Sequence, residues 1–275
     1  MPGNNTEMAK LYAKETVSLY QQEQSYLRGT VLTKGNLRGA NQYVFHVSPS
    51  ISGAVTRGIN GVIPEQTDDQ TSVTCTMAEY HSLRVKNNFN IESSAPSQRE
   101  IMQKTSIADI NYTTDQLILT AFGTTAYSVA AAAASISWLL GGLEKLWANR
   151  VPNDGRVYVA LTSKAWAQAM KVTQFASSDF VDDRPFMKGV SMKKWMNCKF
   201  FLHTELPGKG TASASCFAWH EDSVGHCINM GEMQVETGRD GKQDQSWARV
   251  SAYQGVSMIQ DEGVVKMIHD DTAAL

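Results

Sequence analysis

From Gly35 to Thr71 the chain is rich in glycine, serine, asparagine and proline, and this stretch restricts the possible folds more than any other feature. Two short β-like pieces bracket its middle, Tyr43 to Val47 and Val73 to Met77, and the segment joining them is far too long for a hairpin turn. Structureless loops of that length are uncommon inside a compact domain. Fixing each backbone residue costs roughly 1–2 kcal/mol. A segment punctuated by Gly35, Gly39, Gly53, Gly58 and Gly61 has little apolar surface to offset that cost. Such a loop is expected to extend away from its own domain and take its order from a neighbour. Its apolar points Val55, Ile59, Val62 and Ile63, around Arg57, are the candidate contact set, with Arg57 a candidate partner for a carboxylate across the contact.

Elsewhere the chain has the means to build a core. It has 275 residues, 42% of them hydrophobic, enough for one large or two ordinary domains. The net charge of −2 supplies no global basic field, which argues against avid sequence-independent binding to nucleic acid. The four cysteines, Cys75, Cys198, Cys216 and Cys227, form no C-x-x-C pair, which argues against a zinc ribbon or a disulfide scaffold and favours synthesis in a reducing compartment. No signal peptide is visible in the first thirty residues. The run YSVAAAAASISWLL, Tyr127 to Leu140, falls short of the roughly 20 residues a membrane helix needs and reads as a buried soluble helix.

Along the chain, residues 7–28 place Met8, Leu11, Tyr12, Thr16, Leu19 and Tyr20 at helical spacing, an amphipathic arm. Residues 79–91 begin as a strand and lead through Ser97 to a helical stretch, SQREIMQKTSIADI. Asp115 to Arg150 reads as mostly helical, weakened at Gly123 and at Gly141-Gly142 and stopped by Val151-Pro152-Asn153-Asp154-Gly155. Its alanines suit a helix lying close on a sheet, where leucine at Ala131 or Ala133 would overpack by roughly 1–3 kcal/mol. Val157 to Leu161 is a short buried strand, followed by an N-cap at Thr162 or Ser163 and a helix from Lys164. Near the end, Trp247 to Ile259 reads as a strand, Asp261-Glu262-Gly263 as a turn, and Val264 to Ile268 as the partner strand of a hairpin. No internal repeat is present.

Candidate chemistry concentrates in one place. Cys216, His220, His226 and Cys227 fall within twelve residues and bring thiol and imidazole together. The spacing C-x3-H-x5-H-C matches no zinc finger or ribbon, and adjacent His226 and Cys227 would face opposite sides of a strand, so structural roles are the better reading. A cysteine nucleophile with a histidine base is the alternative on the same residues, but no orienting third group can be named. The sequence holds no G-x-G-x-x-G, P-loop, G-x-S-x-G or H-E-x-x-H, and no cofactor or metal is expected. Its six tryptophans are scattered, which favours packing over a base-stacking platform.

The order of these elements is informative as a whole. RVYVALTSKAWAQAM (156–170), TQFASSDFVDDRPF (173–186), the W-x-x-C-x-F-x-x-H-x-x-L-P run from Trp195 to Pro207, CFAWHEDSVGHC (216–227) and AYQGVSMIQDEGVVKMI (252–268) follow one another in the C-terminal half. In that order they resemble the major capsid proteins of tailed bacteriophages with the Hong Kong 97-like fold, in the podovirus-like phage capsid group. The N-terminal half matches in pattern only.

The resemblance implies an α+β fold with an N-terminal arm over 1–34, an extended E-loop over 35–78 and a P-domain with a spine helix over 79–165. An A-domain over 166–221 and P-domain strands over 222–275 complete it. It implies a protein of the virion, made in the bacterial cytoplasm, that forms the hexamers and pentamers of an icosahedral shell around double-stranded DNA without binding it tightly. A separate scaffolding protein, a portal and a decoration protein are the partners it suggests, and no enzymatic activity. The E-loop would then lie across an adjacent subunit and the N-arm beneath another. An encapsulin-like protein shell and a cysteine-dependent hydrolase are the alternatives, separated from the first reading by cargo and by thiol exposure.

Overall fold

The computed structural model describes residues 24–35, 39–48, 54–65, 70–89, 98–172, 192–229 and 234–274. The amphipathic arm expected over residues 7–28 lies mostly outside them. The described residues form two large sheets, a small hairpin and three α-helices, in the expected α+β class.

The first sheet is organised by one long strand. β1 (Leu32–Lys34), β4 (Ala78–Asn87), β10 (Val224–Ile228), β11 (Gln234–Asp240) and β12 (Gln245–Met258) compose it. β12 is antiparallel to β4 along one edge, from Gln245↔Asn87 to Gln254↔Ala78. Its other edge takes β11 and then β10, to which β1 adds in parallel. Helix α1 (Gln98–Gly123) spans about 39 Å at 1.5 Å per residue and lies on one face of this sheet. Met102, Ser106, Ile110, Thr114, Ile118 and Phe122, each four residues from the last, are its buried stripe. Ile110 packs on Val250 and Ala252, Thr114 donates to Gln254 Oε1 at 2.8 Å, and Asp109 accepts from Ser82 at 2.7 Å and Arg84 at 2.6 Å. A long helix does lie along a sheet, but it is α1, which begins at Gln98 and takes in the SQREIMQKTSIADI stretch; the spine expected on the alanine-rich stretch between Thr114 and Asn149 is broken there by Ser128–Ala132.

The second sheet runs β5 (Ser128–Ala132), β13 (Val264–His269), β9 (Ala214–His220), β6 (Val157–Leu161), β8 (Cys198–Leu202), β7 (Met192–Trp195). Helices α2 (Ile136–Ala148) and α3 (Ser163–Lys171) accompany it. Every residue of β6 and β9 is buried, and Trp219 of β9 packs against Phe122, Phe201 and Tyr158. The Trp219 indole donates to Thr30 O at 3.0 Å, so the N-terminal strand region is tied to this core. Strands drawn from residues 157–161, 198–202, 214–220 and 264–269 thus share one sheet. β6 and the Thr162 cap, which accepts from Ala165 N, match the sequence reading.

Three local expectations are corrected. The alanine run is not helical: Ser128–Ala132 is an edge strand parallel to β13, and the helix starts only after Ser135, whose hydroxyl accepts from Trp138 N at 3.2 Å. An open ladder on β13 outweighs alanine's helix propensity, which is worth less than 1 kcal/mol per residue. Ala131 and Ala133 are exposed. Leucine at either is therefore expected to leave the subunit's stability unchanged within about 0.5 kcal/mol, measured by urea denaturation, in place of the overpacking expected from sequence.

The break at Gly123 is present, whereas Gly141-Gly142 sit inside α2, where a Cβ on Gly142 would collide with Met267 Sδ. The glycine permits close helix–sheet approach without ending the helix. The third correction is the C-terminal hairpin. Asp261–Gly263 does turn, but β12 and β13 are not partners: β12 belongs to the first sheet and β13 pairs β9 and β5 in the second. Ile259 N and Gln260 N both donate to Ser223 O, at 2.8 and 3.0 Å, and this pins the point where the chain changes sheets.

The small hairpin pairs β2 (Gln42–Val47) with β3 (Thr71–Thr76), close to the β-like pieces read from sequence. Cys75 of β3 and Cys227 of β10, 152 residues apart, form a single disulfide, which the sparse cysteine spacing did not announce. Cys198 and Cys216 are free and buried.

Candidate functional site

The thiol–imidazole cluster does not converge. Cys216 lies inside β9, where burial pushes its thiol up to about 12, so it carries no thiolate near neutrality. His220 ends the same strand; its Nδ1 accepts from Asp222 N at 3.2 Å, which leaves Nε2–H to face Asp154 Oδ1 at 3.3 Å. The turn Glu221–Ser223 then carries the chain to the other sheet, where His226 and Cys227 lie in β10 and Cys227 is bonded to Cys75. The described residues contain no group of three or more histidine, cysteine, aspartate or glutamate side chains arranged to hold a metal.

His226 has a different consequence. It is fully buried, its Nε2 faces Gln254 Oε1 at 3.4 Å, and burial, with Arg28 nearby, pushes it down to about 4. The unfolded chain takes up this proton near pH 6.5 and the folded chain only near 4. Stability contributed at this site is therefore complete above 6.5 and falls as pH drops to 4, by about 3 kcal/mol. Urea denaturation of His226→Gln across pH 7 to 4 is expected to show a visibly shallower acid loss than the parent.

The end of the N-terminal arm has a built anchor that sequence reading missed. Asp115 of α1 is wholly buried and accepts from Ser25 Oγ at 2.5 Å, Tyr26 N at 3.0 Å and Leu27 N at 3.2 Å. His203 Nε2 stands 3.6 Å away, at ion-pair distance. Burial alone would raise this carboxyl, yet His203 and the three donors together hold it below the usual carboxylate range.

Among the described residues, two exposed apolar surfaces bear on function. All five residues of the sequence-derived contact set, Val55, Arg57, Ile59, Val62 and Ile63, lie exposed on segment 54–65, with Ile59 99% and Val62 91% accessible. A turn closed by Gly61 N on Gly58 O at 2.9 Å, with Asn60 at φ 66°, shapes the tip. The second surface is the face of the first sheet opposite α1. Leu83, 57% exposed, and Val85, 48% exposed, stand beside Arg249 and Trp247 in register, and the Trp247 ring lies where a Cβ on Gly238 would be. The alternation in SLRVK carried that signal, but nothing local said which face would stay open.

Solved structures share this arrangement. The capsid of the cyanophage P-SCSP1u matches with a TM-score of 0.74 and 10% identity, covering 96% of this chain and 94% of that one. The capsid of cyanophage Pam1 matches at 0.72, with 12% identity and 99% of each chain. A structure from Mycobacterium phage Che8 matches at 0.71, with 14% identity, 99% of this chain and 100% of that one. At such identities the likeness carries the fold, which is Hong Kong 97-like. No curated protein matches in sequence. The family described as phage capsid protein matches residues 5–271, nearly the whole length, and the chain belongs to that family.

Proposed function

We propose that this chain is the repeating subunit of a phage head shell, acting through contacts with its own copies and with no catalytic step. The observation that carries this is the segment 54–65, which presents Ile59 and Val62 almost wholly to solvent within a single chain. Apolar area removed from water is worth about 25 cal/mol per Å², and a neighbouring subunit would supply the cover. In a closed shell such contacts are heterologous, one patch meeting a different patch on the next copy. Val55, Arg57, Ile59, Val62 and Ile63 are the proposed contact set, with Arg57 paired to a neighbour's carboxylate.

In this reading residues 35–78 are the E-loop, and the first sheet with α1 is the P-domain. The pairing of β6 with β8 and β9, of β13 with β9 and of β5 with β13 supports drawing the axial A-domain along the whole second sheet, beyond the segment 166–221. Double-stranded DNA is the proposed cargo, enclosed by a near-neutral protein of net charge −2. A scaffolding protein, a portal and a decoration protein are proposed partners. Electron microscopy of the purified protein, alone and after expression with the other head proteins, tests this: closed shells are expected, with nuclease-protected double-stranded DNA in particles from infection. A monodisperse monomer under both conditions overturns it, and shells that hold only protein cargo favour an encapsulin-like role.

A further inference from the structure

The disulfide sits at the root of the exposed loop, and its surroundings give it a mechanical role. The β2–β3 hairpin is seated on the first sheet at two glycines. A Cβ on Gly255 would strike the Thr76 carbonyl, and one on Gly225 would meet the Phe45 ring at 2.5 Å. Phe45, Cys75 and Cys227 form one small buried cluster, lined by Leu32, Tyr43 and Ile259 and separate from the main core. Beyond it the loop runs out to the exposed segment 54–65. A cluster this small is a weak hold for so long a projection, and the covalent bond reinforces it.

We propose that the Cys75–Cys227 pair is a redox-set staple that governs whether the hairpin can lift from the sheet, and so fixes the direction in which the loop leaves the subunit. Formation joins the two Sγ atoms and releases two protons and two electrons. A small-molecule disulfide serves as oxidant: one cysteine thiolate attacks it to give a mixed disulfide and one small thiol. The second cysteine thiolate then displaces the other small thiol, so each small disulfide consumed yields two thiols. Cys75 is 1% exposed and Cys227 0%, so exchange requires the hairpin to lift first. The reduced pair is therefore oxidised only when the hairpin has lifted, and the staple once set is shielded from reductant until the sheet around Cys227 opens by local unfolding. Its consequence for assembly rests on the loop being the contact arm, whereas its effect on the hairpin does not.

The test uses the full-length subunit equilibrated in oxidised or reduced glutathione. Thiol labelling after denaturation should count two free cysteines in the oxidised form, Cys198 and Cys216, and four in the reduced form. Native hydrogen exchange of residues 42–47 and 71–76 should be at least tenfold faster when reduced, with α1 and β6 unchanged. Cys75→Ala should show the fast exchange in both buffers; should that variant not fold, the comparison of the two redox forms of the unmodified chain decides alone. Four labelled cysteines after oxidation, or hairpin exchange that is the same in both forms, overturns the staple. Shells assembled from reduced subunit are scored separately, so failure of the staple and failure of the shell reading give different results.

Discussion

Deleting residues 50–64 is expected to leave a folded, soluble subunit that forms no shells. The deletion removes Val55, Arg57, Ile59, Val62 and Ile63 and leaves residues 48–49 and 65–70 to close the hairpin between the paired Val47 and Thr71. Ile59 and Val62 bury almost nothing in the subunit, so the core loses no apolar contact with them. Shortening the connection lowers its closure entropy, a gain of about 1 kcal/mol. Circular dichroism and the urea midpoint should therefore match or slightly exceed those of the parent, while particle yield by electron microscopy falls below detection. Normal particles from this variant would remove the main support for a contact arm. Loss of the folded subunit itself would show instead that the loop belongs to the core.

The second large effect is expected at Asp115. Alanine there leaves the Ser25 hydroxyl and the Tyr26 and Leu27 amides without their buried acceptor and removes the carboxylate that stands 3.6 Å from His203 Nε2. Breaking a buried, multiply hydrogen-bonded charge costs about 3–5 kcal/mol. Urea denaturation should register that loss, and limited proteolysis should cut near residues 24–30 much sooner than in the parent. Asp115→Asn keeps two lone pairs for the backbone donors and should recover part of the stability. The Asp115 contribution is present above the unfolded carboxylate range and is lost as pH falls through its lowered folded value, in the same direction as the acid loss at His226. An unchanged midpoint for Asp115→Ala would mean that the arm is held elsewhere.

By itself the sequence determined those elements whose cause is local. Val157 to Leu161 is an unbroken apolar run followed by Thr162, and any chain context that buries it makes a strand and a capped helix. The glycine content between two short β-like pieces likewise sufficed to mark a long projection and to name five residues that lie exposed on it, although the pairing of β2 with β3 as a hairpin was not legible there. Only the tertiary structure decided the rest, because each remaining feature depends on a partner far away in the chain. Ser128–Ala132 is a strand because β13 offers an open edge more than 130 residues later. β12 and β13 look like a hairpin, yet their better partners are β4, β10 and β11 for one and β9 and β5 for the other. Cys75 meets Cys227, and Asp115 meets Ser25 and His203, through packing of two sheets and a helix that no spacing rule encodes. Periodicity reports which face of an element is apolar, and pairing energy across the folded molecule selects what that face, edge or charge will meet.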